Sequence, residues 1–135
     1  MFSIVIPVYN EKKNIKYLID EILTSIKKEY IFEIIIVNDC STDGTLNEIV
    51  ELSFNSLFLI TNDKNMGQSY SITKGIKKAK FDTIVTIDAD GQNDPKDILS
   101  LVNLYFSNKN LSLIGGIRKN RKDNLVKIYS SIIAN

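Results

Sequence analysis

The sequence predicts an α/β domain, an open and mostly parallel sheet with helices on both faces. Short runs rich in Ile, Val, Leu and Phe recur along the chain at regular spacing. These runs are apolar at nearly every position, which is the pattern of strands buried on both faces. Segments with apolar residues at helical spacing separate them. A chain ordered β-α five times over builds a Rossmann-like sheet through right-handed crossovers. Its 135 residues, 44% hydrophobic, suffice for one domain with a sizeable core.

The first run, Phe2–Val8, leads into NEKKNIKYLIDEILTSIKK, where Ile15, Leu18, Ile19, Ile22, Leu23 and Ile26 form one stripe. Asn10 suits its N-cap. The second run, Phe32–Val37, precedes STDGTLNEIVEL. There Ser41 and Thr42 supply capping hydroxyls, and Asp43 suits the positive helix end. Ser56–Ile60 precedes GQSYSITKGIKKAK, a shorter and weaker helix with Gly75 inside it. Thr83–Ile87 precedes DPKDILSLVNLYF, in which Asp94 caps, Pro95 takes the first turn, and Leu99, Leu101, Val102 and Tyr105 can face inward. Leu111–Ile117 is the fifth expected strand. The helical pattern after it, RKDNLVKIYSSIIAN, places Leu125, Ile128, Tyr129, Ile132 and Ile133 on its apolar side.

Composition narrows the chemistry. A net charge of +1 gives no global attraction to nucleic acid. The lone cysteine, Cys40, excludes an internal disulfide framework. The absence of histidine removes Ser-His-Asp catalysis and the usual zinc sites. A metal here must therefore be hard and oxygen-bound, such as Mg²⁺ or Mn²⁺. The apolar start lacks basic residues before it and is too short for a signal peptide. No run approaches the ~20 apolar residues of a membrane span. The expectation is a cytoplasmic chain.

In open α/β sheets ligands bind outside the carboxyl ends of the strands. The loops there carry Asp39 after the second strand, Asp88 and Asp90 after the fourth, and Arg118, Lys119 and Arg121 after the fifth. Carboxylates and arginines on one rim suit a substrate bearing both a divalent cation and phosphates. Asp94 and Asp97 are explained by helix starting, and Asp63 by a turn. Asp88 and Asp90 are different. In a strand-like segment they point to the same side, and two like charges so placed are costly without a counter-ion.

SIVIPVYNE, IIIVNDCSTDGT, NMGQSYSITKG and TIDADGQNDP, in this order and spacing, resemble the family 2 glycosyltransferases of GT-A fold along the whole chain. The final GGIRKNRKDNLVKIYSSIIAN is similar to a narrower branch, the polyprenyl-phosphate glycosyltransferases. That branch includes dolichyl-phosphate mannose synthases and bacterial undecaprenyl-phosphate enzymes. The resemblance implies a nucleotide-diphosphate-sugar donor. Pro7, Tyr9 and Glu11 match the motif that contacts the nucleotide, Asp39 the acid that recognises the base, and Gly67 a further donor-binding position. Asp88 and Asp90 match the motif that holds Mg²⁺ or Mn²⁺ on the donor diphosphate. Gln92 stands where the branch also has glutamine. Arg118 and Arg121 match basic residues near the phosphates, and with Asp90 they form the expected catalytic set. Asn38, Cys40 and Gly91 depart from the common pattern; Asn38 and Cys40 leave the donor base open, and Gly91 loosens its loop. Family members continue past this point with acceptor-side segments, so the chain is expected to be an N-terminal donor-binding part with no general base of its own. Asp123 reads as a first-turn helix residue.

The implied reaction is inverting sugar transfer to an acceptor, here a polyprenyl phosphate at the membrane surface. Residues 1–135 would be one nucleotide-sugar-binding domain. Other readings stay open at the level of sequence. One is a donor-binding domain that does not turn over. Another is a receiver-like signalling module, although its acid pattern after the first and third strands is missing. The basic cluster around Arg118 also reads as a solvated helix start, or as a patch drawn to an anionic bilayer.

Overall fold

The computed structural model describes residues 1–26, 30–52, 54–108 and 110–116. Strands β1 (Phe2–Val8), β2 (Phe32–Asn38), β3 (Leu57–Thr61) and β4 (Ile84–Thr86) alternate with helices α1 (Ile15–Ser25), α2 (Thr45–Val50), α3 (Gln68–Ile76) and α4 (Asp97–Ser107). The strands form one sheet in the order β3-β2-β1-β4, and every pairing is parallel. β1 and β2 lie at the centre, in register from Phe2 opposite Phe32 to Val8 opposite Asn38.

Both faces are covered, which is why β1 and β2 are apolar almost throughout. On one face Phe2, Ile4, Ile6, Val8, Ile34 and Ile36 pack with Ile15, Leu18, Ile19 and Ile22 of α1, Ile49 of α2, and Ile98 and Val102 of α4. On the other face Val5, Ile35 and Val37 form a smaller cluster under α3. Gly75 explains that close approach. A Cβ there would lie 2.4 Å from Val5 Cγ1 and 3.1 Å from Val37 Cγ2. The glycine that weakens α3 as an isolated helix is thus what lets it rest on the sheet.

The N-terminal end of the sheet is closed by a buried acid. Glu33, 5% exposed, accepts hydrogen bonds from Ser3 Oγ (2.6 Å) and from the Lys80 amide (2.6 Å), while Ser3 Oγ accepts one from the Phe81 amide (3.2 Å). This ties the connection entering β4 to β1 and β2.

Several expected boundaries shift. No strand forms over 111–116. Gly115 and Gly116 weaken a strand there, and Leu113 is 86% exposed. Ile117 and the expected last helix lie outside the described residues. Asn10 does not cap α1, which begins at Ile15. It sits at φ 57, a conformation asparagine tolerates, and crosses to the next loop. Its amide donates to Ser41 Oγ, and its Oδ1 accepts from the Thr42 amide. Ser41 and Thr42 are engaged in that bridge and do not cap α2. Asp43 takes over by accepting from the Thr45 and Lys12 amides. Burial pushes its carboxyl up, but these bonds and the Thr45 hydroxyl hold it below the usual range. In α4 the buried stripe is Ile98 and Val102, whereas Leu99, Leu101 and Tyr105 are half-buried. Leu23 of α1 is exposed.

Candidate active site

The carboxyl ends of β1, β2 and β4 and the start of α3 enclose a cavity of about 340 Å³. Pro7, Val8, Tyr9 and Glu11 supply the wall after β1. Asp39 stands after β2, and Asp88, Ala89 and Asp90 after β4. Asn65, Gly67, Gln68 and Ser71 come from the loop after β3 and the first turn of α3.

Each wall is fixed from below. The Glu11 amide donates to Thr45 Oγ1 (2.9 Å), and its carboxylate accepts from Asn14 Nδ2 (2.7 Å). Tyr9 keeps 46% of its surface exposed, so an aromatic face is available at the rim. Gly67 adopts φ 87 and ψ 162, a backbone conformation that side-chain-bearing residues rarely reach, while the space around its absent Cβ is open. Conformation is therefore what requires glycine there.

Asp39 is the centre of a buried polar network. It is 3% exposed, and its Oδ1 accepts from Asn62 Nδ2 (2.7 Å) and the Met66 amide (2.8 Å), its Oδ2 from the Gly67 amide (2.8 Å). Asn62 Nδ2 also donates to Ser71 Oγ, and Asn62 Oδ1 accepts from Lys74 Nζ. Burial pushes the Asp39 carboxyl up. The bonds from Asn62, Met66, Gly67 and Ser71 outweigh it and hold the group below its ordinary 3.8. Asp39 thus stays ionised at the cavity wall and holds the loop after β3.

Asp88 and Asp90 reach the same cavity by a route other than the expected one. β4 ends at Thr86, and 89–91 turn, so strand alternation does not place the two acids side by side. The last ladder contact is Ile87 N to Val5 O, and Ile87 and Ala89 are buried as anchors on either side of Asp88. Gln68 Nε2 donates to Asp88 Oδ1 (2.6 Å), and Asp90 Oδ1 accepts from the Gln92 amide (3.0 Å). Among the described residues no three His, Cys, Asp or Glu side chains converge as a metal cage. Two carboxylates beside an open cavity fit a hard cation that takes its remaining oxygens from a diphosphate and water, as Mg²⁺ commonly does.

Of the residues singled out from the sequence, Pro7, Tyr9, Glu11, Asp39, Gly67, Asp88 and Asp90 come together. Gln92 does not line this cavity. It borders a separate shallow depression with Glu21 and Asp94. Arg118 and Arg121 lie outside the described residues. Gln68 and Ser71 were missed. The usable signal was their place in the first turn of a helix that starts at the ligand-binding end of the sheet.

A family model described as "Glycosyl transferase family 2" matches residues 3–133. Dodecaprenyl-phosphate galacturonate synthase of Rhizobium johnstonii is 36% identical over 127 residues, covering 91% of this chain and 37% of that protein. Undecaprenyl-phosphate 4-deoxy-4-formamido-L-arabinose transferase of Proteus mirabilis is 34% identical over 137 residues, covering 98% and 41%. The chain therefore spans about two fifths of these relatives' length. Among solved structures, S. aureus TarS 1-349 in complex with UDP-GlcNAc superposes with a TM-score of 0.66 at 26% identity, covering 78% of this chain and 31% of that one. Mannosyltransferase PcManGT from Pyrobaculum calidifontis, in complex with GDP-Man and Mn²⁺, superposes with a TM-score of 0.65 at 21% identity, covering 79% and 32%, a likeness of fold alone.

Proposed function

Because the chain belongs to glycosyl transferase family 2, we propose that it carries the donor-binding part of a metal-dependent, inverting glycosyltransferase. The donor is a nucleotide-diphosphate sugar, and the acceptor is a polyprenyl phosphate presented at the cytoplasmic face of a membrane. The observation that carries this reading is the convergence of Tyr9, Asp39, Asp88 and Asp90 on one cavity at the carboxyl edge of a parallel sheet. The relatives named for dodecaprenyl- and undecaprenyl-phosphate support the acceptor class.

Roles follow from chemistry. Pro7 and the exposed Tyr9 ring offer a surface for a nucleoside, with Glu11 beside them. Asp39, kept ionised, accepts hydrogen bonds from a base. Gly67, with no side chain, leaves the cavity edge open. Asp88 and Asp90 would hold Mg²⁺ or Mn²⁺, which supplies charge neutralisation for a departing diphosphate when bound. In the transfer itself, an acceptor phosphate oxygen bonds to the anomeric carbon from the face opposite the donor. The bond from that carbon to the diphosphate oxygen breaks, and nucleoside diphosphate leaves with the electron pair. A lipid phosphate is already ionised near neutral pH, so no strong general base is required of this chain. Arg118 and Arg121 would steady phosphate oxygens. No helix among the described residues is long and apolar enough to cross a membrane. The lipid-phosphate names of the relatives are what support a reaction at the bilayer surface.

A second reading is favoured by length. The chain spans 37% and 41% of its named relatives, so on its own it could bind donor without turning over. Family membership displaces the receiver-like reading. Calorimetric titration with UDP-sugars, with and without Mn²⁺, tests the donor site. Metal-dependent binding that Asp90→Ala abolishes is expected, and binding indifferent to both changes would refute it. Sugar transfer to polyprenyl phosphate in detergent tests the acceptor, and transfer to saccharide hydroxyls alone would remove that assignment. Donor binding without any transfer by the 135-residue chain would select the second reading.

A further inference from the structure

We propose that Gln68 is a positioning residue that sets the Asp88 carboxylate for the donor diphosphate and its cation, an inference that rests on the donor-site reading above. Asp88 follows the last ladder contact of a three-residue edge strand, so sheet pairing does not fix it. Gln68 reaches it from the opposite wall, donating Nε2 to Oδ1 at 2.6 Å.

The backbone behind Gln68 is tied at both ends of α3. The preceding residue, Gly67, has its amide held by buried Asp39, and so does Met66. At the other end of α3, Gly75 seats the helix on Val5 and Val37. Position 68 is thus pinned from two sides, and a hydrogen bond from it constrains Asp88 in turn. The run Asp39, Gly67, Gln68, Asp88 joins two acids of the cavity through consecutive residues.

The choice of a neutral donor has a chemical consequence. An amide orients the carboxylate without bringing a positive charge of its own. A lysine there would orient Asp88 through an ion pair and compete with the metal. A methionine of similar length would fill the space and donate nothing.

The test is calorimetric binding of UDP and, in parallel, GDP to the 135-residue chain, with and without Mn²⁺, together with the melting temperature of each variant. For Gln68→Met the melting temperature is expected to stay near wild type, and the effect of Mn²⁺ is read against the variant's own metal-free affinity, since Gln68 lines the cavity. The gain in nucleotide affinity on adding Mn²⁺ should fall about tenfold or more, the usual effect of losing a partner behind a metal ligand. For Gln68→Lys the gain should shrink further while metal-free affinity holds or rises. A full Mn²⁺ gain in Gln68→Met would overturn the proposal. So would a parallel loss of metal-free affinity and melting temperature, which would mark Gln68 as merely structural. If wild type shows no Mn²⁺ gain with either nucleotide, the donor-site reading itself fails, a result distinct from failure of the variant alone.

Discussion

Strand β2 has a buried acid near each end, and the two differ in what they face. Glu33, near its start, is 5% exposed and is satisfied by the Ser3 hydroxyl and the Lys80 amide. Asp39, just past its end, is 3% exposed and is satisfied by Asn62 and the amides of Met66 and Gly67. Both obey the rule that a buried carboxylate needs donors around it. Glu33 does so at the N-terminal edge of the sheet and fastens one connection. Asp39 does so at the carboxyl edge, where the loop it fastens is also a cavity wall. The same device therefore closes the sheet at one end and shapes the wall of a cavity at the other.

Removing each acid should separate these roles. Asp39→Ala leaves the Met66 and Gly67 amides and the Asn62 side chain without their acceptor. It is expected to destabilise the fold by about 3 kcal/mol in urea titration and to abolish UDP binding. The pH response should carry the same signature. Because the folded carboxyl lies below its ordinary 3.8, its stabilising effect is present above that value and is lost as pH falls through the lower, folded one. A plot of stability against pH should thus drop more steeply on the acid side for wild type than for Asp39→Ala. Identical slopes would deny Asp39 this role. Glu33→Ala should cost about 2 kcal/mol through the orphaned Ser3 hydroxyl and Lys80 amide. Its nucleotide affinity per folded molecule should stay at wild-type level. A site defect in Glu33→Ala would erase the contrast between the two ends.

Sequence and structure agree where the signal was local and apolar. The runs Phe2–Val8 and Phe32–Val37 are unbroken in hydrophobicity and lie at the sheet centre, β2 ending one residue later at Asn38. Asp39 was legible because charge directly after a buried strand is conspicuous, and Asp88 and Asp90 because two acids close an apolar run. What escaped notice depended on distance along the chain. Asn10 looks like a cap until Ser41 and Thr42, 31 residues and more away, claim it. Gln68 looks like an ordinary helix residue until Asp88 arrives from 20 residues on. The run over 111–116 shows the converse, since apolar content alone did not produce a strand in the presence of Gly115 and Gly116.

Gly75 probes the sheet between its two ends. Gly75→Ala should gain up to about 1 kcal/mol in helix propensity. Against this, the new Cβ would sit 2.4 Å from Val5 Cγ1, a clash with a buried side chain that has little room to move. Overpacking of this kind costs roughly 1–3 kcal/mol, so a net loss of about 1 kcal/mol is expected in urea titration. A shift of α3 away from the sheet would also move Gln68, so nucleotide affinity should weaken slightly, in contrast to Glu33→Ala. A stabilised Gly75→Ala would show that α3 can lift without cost.

The smallest effect is expected where charge pairing is most visible. Lys16 Nζ lies 2.8 Å from Glu48 and 2.6 Å from Glu51, bridging α1 to α2 and its C-cap. Hydrogen bonds to Glu48 and Glu51 raise the Lys16 ammonium above its usual range, and the bond from Lys16 holds Glu51 below its own. Glu51 is 67% exposed and Lys16 39%, so water and salt screen the pair, and ordering two long side chains offsets what attraction remains. Lys16→Ala should therefore leave the melting temperature unchanged within error at physiological salt, and stability should be insensitive to added NaCl. The two buried acids, each held by neutral donors, would then outweigh the surface ion pairs in this domain. A clear drop in melting temperature for Lys16→Ala, matched in wild type on adding salt, would show that the exposed bridge between α1 and α2 carries more of the fold than its solvent contact allows.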